Sequence, residues 1–80
     1  MEFGRVNSIR NDKLLVKFGL HLKKLREEKE LSQEALANDS NVPISQVGRI
    51  ERGEINTTIS TLEAIATGLK MKLKDLLDMK

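Results

Sequence analysis

Apolar residues recur along this chain at steps of three and four, the spacing that places them on one side of an α-helix. The first such series follows Asn11 and Asp12, both suited to cap a helix N-terminus. Its predicted inward positions are Leu14 or Leu15, Phe18, Leu22 and Leu25. We predict that this helix runs to about Lys29. Sustained alternation of apolar and polar residues and Gly-containing hairpin dipeptides, the signals of strands, are missing.

Two short helical segments follow, one on each side of Asn41-Val42-Pro43. Ser32 is predicted to cap the second helix, which should end near Asp39 or Ser40 with Leu36 and Ala37 facing inward. Asn tolerates a positive φ, so Asn41 suits a sharp turn. Pro43 fixes φ at about −65°, which fits the first turn of a third helix.

The third helix is predicted to end at Gly53, which is suited to a left-handed C-terminal cap. Thr58 or Ser60 would cap a fourth helix, and Ser60 with Glu63 would make a capping box. The predicted inward positions of that helix are Leu62, Ile65, Ala66 and Leu69. A short fifth helix carries Leu73, Leu76 and Leu77. The pattern therefore predicts an all-α fold of five helices.

Eighty residues suffice for one small domain, assigned here to residues 13–80 after an extension or arm of residues 1–12. The chain is 39% hydrophobic and 32% charged, which is typical of a soluble globular protein. It has no apolar run of the roughly 18 residues that span a bilayer, no secretory signal and no cysteine. We therefore expect a cytoplasmic protein without membrane contact.

The third helix has two contrasting faces. At about 100° per residue, Val47, Ile50 and Glu51 share one side. The predicted opposite side consists of Ser45, Gly48, Arg49 and Arg52. Arg49 can present a fork of donors to guanine O6 and N7, and Ile44, at the edge of this face, can meet a thymine methyl group. Arg52 and the start of the second helix suit phosphate contacts.

Other features agree with this interpretation. Gly48, unfavourable inside a helix, suggests that another backbone approaches closely. The net charge is only +2, which permits nucleic-acid binding without requiring it. Helices two and three, joined by a short turn, match the helix-turn-helix arrangement. The polar face of the third helix makes this arrangement a candidate for reading DNA.

The segment from Phe18 to Leu77 resembles the XRE family of helix-turn-helix regulators, relatives of the lambda and 434 repressors and Cro. The resemblance rests on five short pieces in a fixed order and spacing: Leu25-Arg26, Leu31-Ser32-Gln33-Glu34, Leu36-Ala37, Ile50-Glu51-Arg52-Gly53, and Thr61-Leu62 with Ile65-Ala66 and Leu69. It implies a compact lambda-repressor-like domain in which the third helix enters the major groove.

The resemblance also implies roles for particular residues. The positions that match base-reading residues of the family are Ile44, Ser45 and Arg49. The positions that match or adjoin phosphate-contacting residues are Ser32, Gln33, Arg52, Asn56, Thr57 and Thr58. Arg26 and Glu51 match a structural ion pair between helices one and three, and Arg26 is a second candidate for a phosphate contact. Where phage repressors often have a glutamine, this chain has Ile44, so no known operator sequence can be transferred to it.

Family members usually bind palindromic DNA as homodimers, so the expected function is sequence-specific transcriptional regulation by a repressor or autoregulator. The predicted dimer interface is Leu73, Leu76, Leu77 and Met79, residues that alternatively close the core of the monomer. The first twelve residues are an added helical turn, a basic arm entering the minor groove, or a frayed terminus. A second function remains open, an antitoxin or other interaction module whose main partner is a toxin or another regulator.

Catalysis is not expected. Ser32 and Ser45 lack a positioned base, and the single histidine, His21, is expected at a surface or half-buried position and not at a metal. The sequence predicts no cofactor, no metal and no ligand-sensing domain.

Overall fold

The computed structural model describes residues 9–79, and in this range it contains five α-helices and no strand. The helices are α1 (Asp12–Glu28), α2 (Gln33–Ser40), α3 (Ile44–Glu51), α4 (Ile59–Gly68) and α5 (Leu73–Leu76). The predicted all-α, five-helix fold is confirmed. None of these helices is long and apolar enough to cross a lipid bilayer.

Side-chain caps begin three of the helices. Asn11, Ser32 and Thr58 each accept a hydrogen bond from the backbone N–H three residues on, at 3.0, 3.0 and 3.1 Å. The alternative cap of α4 was wrong, because Ser60 already lies inside the helix while the chain is still extended at Thr58. Pro43 also precedes its helix by one residue, since its ψ of 140° is not helical.

The C-termini of α1 to α4 share one arrangement, the Schellman motif. A residue with positive φ follows each helix: Glu30 (57°), Asn41 (56°), Gly53 (73°) and Lys70 (58°). The next N–H then donates back into the last turn, from Leu31 to Arg26, Val42 to Ala37, Glu54 to Arg49, and Met71 to Ala66. Only one of these four turns uses glycine, so the others hold a side chain in a conformation that costs about 1 kcal/mol or more.

The core lies where α2 packs against α4 and α1 packs against α3. Its buried apolar residues are Phe18, Leu22, Leu36, Ala37, Val47, Ile50, Ile65, Ala66, Leu69 and Leu76. Gly19 permits the second of these contacts, because a Cβ there would collide with the backbone carbonyls of Ile50 and Glu51. The close approach fixes the C-terminal end of α3 on the body of the domain.

The last helix belongs to this core, which corrects part of the predicted dimer interface. Leu76 is completely buried within the chain, so it cannot present a free surface to a second copy. His21, which is half-buried, donates from Nε2 to the Leu76 carbonyl at 2.8 Å and so holds α5 against α1. Leu73 and Met79 are half-buried, and Leu77 remains 44% exposed.

The N-terminal end of the described chain crosses the loop that follows α3. An Arg10 NH2 group donates to the Glu54 carbonyl at 2.9 Å, and the Asn56 amide donates to the Ile9 carbonyl at 3.1 Å. The helix α1 begins at Asp12, the last residue assigned to the extension. The predictions for residues 1–8 lie outside the described residues.

Candidate nucleic-acid interface

The recognition candidate α3 has one face locked into the core and one face open. Val47, Ile50 and Glu51 are all buried, as their spacing predicts. Ile44 is 49% exposed, and Ser45 and Arg49 are also exposed. The structure therefore brings the three predicted base-reading residues together on one accessible surface.

Gly48 has a different role from the one its position suggests. A Cβ at this position would lie 3.1 Å from Arg52 NH1 and 3.5 Å from Gln33 Oε1. Gly48 is thus buried beneath two side chains of its own domain, and no other backbone is required to explain it. The glycine lets the side chains of Arg52 and Gln33 lie across α3.

The Glu51 carboxylate joins three helices. Arg26 donates to it through Nε at 2.6 Å and through NH2 at 3.0 Å, and Gln33 donates through Nε2 at 2.9 Å. The remaining Arg26 nitrogen, NH1, donates to the Leu31 carbonyl at 2.8 Å. The Arg26 side chain is only 10% exposed, and these bonds within the domain give it a structural role.

The electrostatics of this pair follow from its geometry. The hydrogen bond that Arg26 donates to Glu51 raises the pKa of Arg26 and outweighs the opposing effect of burial. The Arg26 guanidinium therefore stays charged, and its pairing with Glu51 offsets the cost of burying a charge alone. The pair fixes how α3 is rotated on α1, and hence which residues face outward.

The start of α2 lies beside a cleft between α1 and the end of α3. The cleft has a volume of about 500 Å³ and is lined by Val16, Leu20, Lys23, Arg26, Gln33, Glu51 and Arg52. Gln33 and Arg52 were predicted from the sequence to contact phosphates, and the structure places them together. Lys23 was not singled out, because only the fold shows that it lines the same cleft as Gln33.

The loop after α3 has fewer polar groups available for phosphate contacts than its sequence suggests. The Asn56 amide is bonded to the Ile9 carbonyl, and the Thr58 hydroxyl caps α4 and donates to Thr61 Oγ1 at 3.0 Å. The assignment of Thr57 to a phosphate contact is not supported, because its hydroxyl is enclosed by the domain. Ser32 is exposed and uses only its oxygen in capping α2.

Both exposed arginines of α3 lie close to one carboxylate that sequence reasoning missed. Glu54 accepts from Arg52 Nε at 2.6 Å and from Arg52 NH2 at 3.4 Å, and its Oε1 lies 3.8 Å from Arg49 Nε. These hydrogen bonds lower the pKa of Glu54 and raise that of Arg52. The available signal was the position of Glu54 directly after Gly53, where the chain turns back toward the helix.

Comparisons with known proteins identify the family. The helix-turn-helix family HTH_3 matches residues 22–76. The control protein C.MunI of Mycoplasma sp is 40% identical over 62 residues, which make up 76% of this chain and 84% of that protein. The immunity repressor of Bacillus phage phi105 is 38% identical over 55 residues, 69% of this chain but only 38% of that repressor.

The fold is shared as well. The crystal structure of the restriction-modification controller protein C.AhdI from Aeromonas hydrophila superposes with a TM-score of 0.76 and 43% identity. The match covers 79% of this chain and 96% of C.AhdI. Sequence, helix order and the exposed face of α3 therefore agree, and the chain belongs to the XRE-type helix-turn-helix (HTH_3) family of DNA-binding transcriptional regulators.

Proposed function

We propose that this protein is a controller of a restriction-modification system that binds a palindromic operator as a homodimer and represses or autoregulates transcription. The observation that carries the proposal is the open face of α3, held in a fixed rotation by the buried Arg26–Glu51 pair. The controller role rests on similarity to C.MunI and C.AhdI over most of their lengths. We also infer a cytoplasmic location, since the proposed operator lies there.

Base recognition is assigned to Ile44, Ser45 and Arg49. The terminal nitrogens of Arg49 make no hydrogen bond to residues 9–79, so they are available for guanine O6 and N7. Ile44 places an aliphatic side chain at the outer edge of α3, suited to a thymine methyl group. Ser45 is small enough to let the helix approach the base edges closely.

Phosphate contacts are assigned to the groups flanking α3. Ser32 and Gln33 lie at the N-terminus of α2, where free N–H groups and the helix dipole favour an anion. Because the Gln33 amide is bonded to Glu51, its backbone N–H is the group we expect to meet the phosphate. The other groups assigned to phosphate contacts are Arg52 and the loop that contains Asn56 and Thr58.

A second copy is proposed to pack on an apolar groove. The groove is lined by Leu14, Leu15, Phe18, Asn56, Thr57, Leu62, Leu77 and Met79. Leu14 and Leu77, which both line it, are 46% and 44% exposed and so present apolar surface to a second copy. Two copies are what a palindrome requires, because each α3 reads one half-site and the two must lie about 34 Å apart.

Selection from a random duplex library tests the proposed function. The purified protein is incubated with the library at moderate salt, and the retained duplexes are sequenced over several rounds. We expect a two-fold symmetric site with half-site centres about 10 base pairs apart.

Two outcomes of this selection would contradict the proposal. A pool that stays random would contradict sequence-specific regulation and favour an interaction module whose partner is a protein. Enrichment of a single, unpaired half-site would retain DNA reading but contradict the homodimer.

A further inference from the structure

We propose that Glu54 is a specificity-determining residue, a carboxylate that holds Arg52, the residue that follows α3, away from phosphates on non-operator DNA. The inference rests on the proposed function, because it assigns a regulatory effect to the same DNA-binding surface. It concerns a residue to which neither the family pattern nor the helical spacing of the sequence points.

The backbone fixes where this carboxylate lies. Gly53, at a φ of 73°, turns the chain, and the Glu54 N–H then donates to the Arg49 carbonyl at 2.9 Å. Arg10 adds a third constraint by donating to the Glu54 carbonyl at 2.9 Å. Glu54 is therefore anchored on both sides of its Cα and is not a freely moving surface residue.

The side chain of Glu54 engages the arginine that was expected to meet the phosphate chain. Arg52 gives it both Nε and NH2, one of the two edges of the guanidinium that can form a paired contact with a phosphate. Arg49 is approached only through Nε, at 3.8 Å, so its two terminal nitrogens stay available for a base. The same carboxylate thus occupies a phosphate-binding edge of one arginine and leaves the base-reading edge of the other open.

Stability does not explain this arrangement. The three side chains are 46 to 59% exposed, and ion pairs at such positions contribute little to folding. Glu54 is nevertheless fully ionised at neutral pH, since its pKa lies below the usual range. A fixed negative charge beside a DNA-binding surface repels every phosphate, whatever the base sequence.

The consequence is a competition. On random DNA, Arg52 can only replace its ion pair with Glu54 by a contact with a phosphate, so the replacement adds little binding free energy. An operator also offers base contacts to α3, which compensate for breaking the Arg52–Glu54 pair. Glu54 therefore lowers affinity for random DNA more than affinity for the operator.

The test compares Glu54→Gln with the wild-type protein on the selected operator and on a random duplex of equal length. Glutamine keeps the shape of the side chain and removes its charge. We expect affinity for the random duplex to rise about threefold to tenfold, with a smaller rise on the operator. The salt dependence on random DNA should steepen by about 0.9 in logarithmic slope for one added phosphate contact.

The matched control is Glu28→Gln, which removes the same charge from an exposed residue beside His21 and Lys24, in a separate cleft. Equal effects of the two substitutions would reduce Glu54 to a contribution to net charge and overturn the proposal. So would unchanged affinities for Glu54→Gln on both duplexes.

A double substitution tests whether Glu54 acts through Arg52. In an Arg52→Ala background, Glu54→Gln should no longer steepen the salt dependence on random DNA. A full effect without Arg52 would contradict the competition. Failure of the wild-type protein to select any operator would instead contradict the proposed function, so the two failures are distinguishable.

Discussion

At the residue scale, the exposed side chains of α3 depend on a buried carboxylate on the other side of the helix. Glu51 accepts three N–H groups from Arg26 and Gln33, and these bonds set the rotation of α3. The positions proposed to face DNA need no partners within the domain, because the buried face of α3 fixes the helix. This division lets Ile44, Ser45 and Arg49 vary with the operator while the fold is kept.

Arg49 and Arg52 should therefore fail in different ways when truncated. We expect Arg49→Ala to lower operator affinity by about 1–3 kcal/mol while binding to random DNA is nearly kept, because a base-reading fork is lost. Arg52→Ala should weaken operator binding and reduce the salt slope measured on the operator by about 1, because a phosphate contact is lost. Its effect on random DNA should be smaller, because Glu54 already holds Arg52 there. Fluorescence anisotropy titrations at several salt concentrations measure both effects.

The control for these arginines is Lys74→Ala, which removes one positive charge from an exposed position on α5. It should leave the ratio of operator to random affinity unchanged. If Arg49→Ala lowered both affinities by the same factor, Arg49 would be a phosphate contact and not a base reader.

At the scale of the helices, the domain is assembled from short elements whose ends are closed by repeated turns. Helices of eight residues, such as α2 and α3, are too short to persist alone. Each is held by a terminal hydrogen-bond motif and by packing on its neighbours. Three of these turns place a non-glycine residue at positive φ, so a glycine substitution there can increase the stability of the fold.

Lys70→Gly should stabilise the protein. Lys70 adopts a φ of 58° at the end of α4, where glycine avoids a strain of about 1–2 kcal/mol but loses more backbone entropy on folding. We expect a net gain of up to about 1 kcal/mol in the free energy of unfolding, measured by urea denaturation. Binding to DNA should not change, because Lys70 lies beside Lys29 and Asp39, outside the proposed surface.

Lys72→Gly is the matched control for this substitution. Lys72 has an ordinary φ of −80° and the same side chain, so glycine there relieves no strain. It should leave stability unchanged or lower it. A gain of the same size from both substitutions would indicate that loss of positive charge, and not the turn, is responsible.

At the scale of the whole molecule, the C-terminal helix has two functions that the sequence pattern combined. Leu76 completes the core, whereas Leu77 lies at the rim of the apolar groove. Folding and the proposed association therefore depend on adjacent residues. Substitutions at the two positions should separate them.

Leu77→Glu should give a folded monomer. A charge at the groove opposes packing of a second copy, while the core residue beside it is untouched. Sedimentation velocity at micromolar concentration should show loss of the dimer, and circular dichroism should show an unchanged helix content. A stable dimer of Leu77→Glu would exclude this groove as the interface.

Leu76→Ala serves as the contrasting variant. Removing a fully buried leucine should lower the free energy of unfolding by about 2–5 kcal/mol. Thermal denaturation distinguishes this loss of stability from the loss of association expected for Leu77→Glu.

The sequence by itself determined the elements and the face that is proposed to read DNA. Apolar spacing, the caps Asn11 and Ser32, and the positive φ at Asn41 and Gly53 are local properties, set by each residue and its near neighbours along the chain. Ser45, Arg49 and Arg52 share one side of α3 because helical geometry alone places them there. The ion pair of Arg26 and Glu51 came from resemblance to the family, and the structure contains it.

Only the tertiary structure decided how groups distant along the chain meet. The burial of Leu76, the enclosed hydroxyl of Thr57 and the position of Lys23 beside Gln33 depend on helix packing, which no local pattern encodes. The capture of Arg52 by Glu54 depends on the direction the chain takes after Gly53. Periodicity specifies which face of a helix is buried, whereas contacts between side chains are set by the relative positions of helices, and these exist only in the folded molecule.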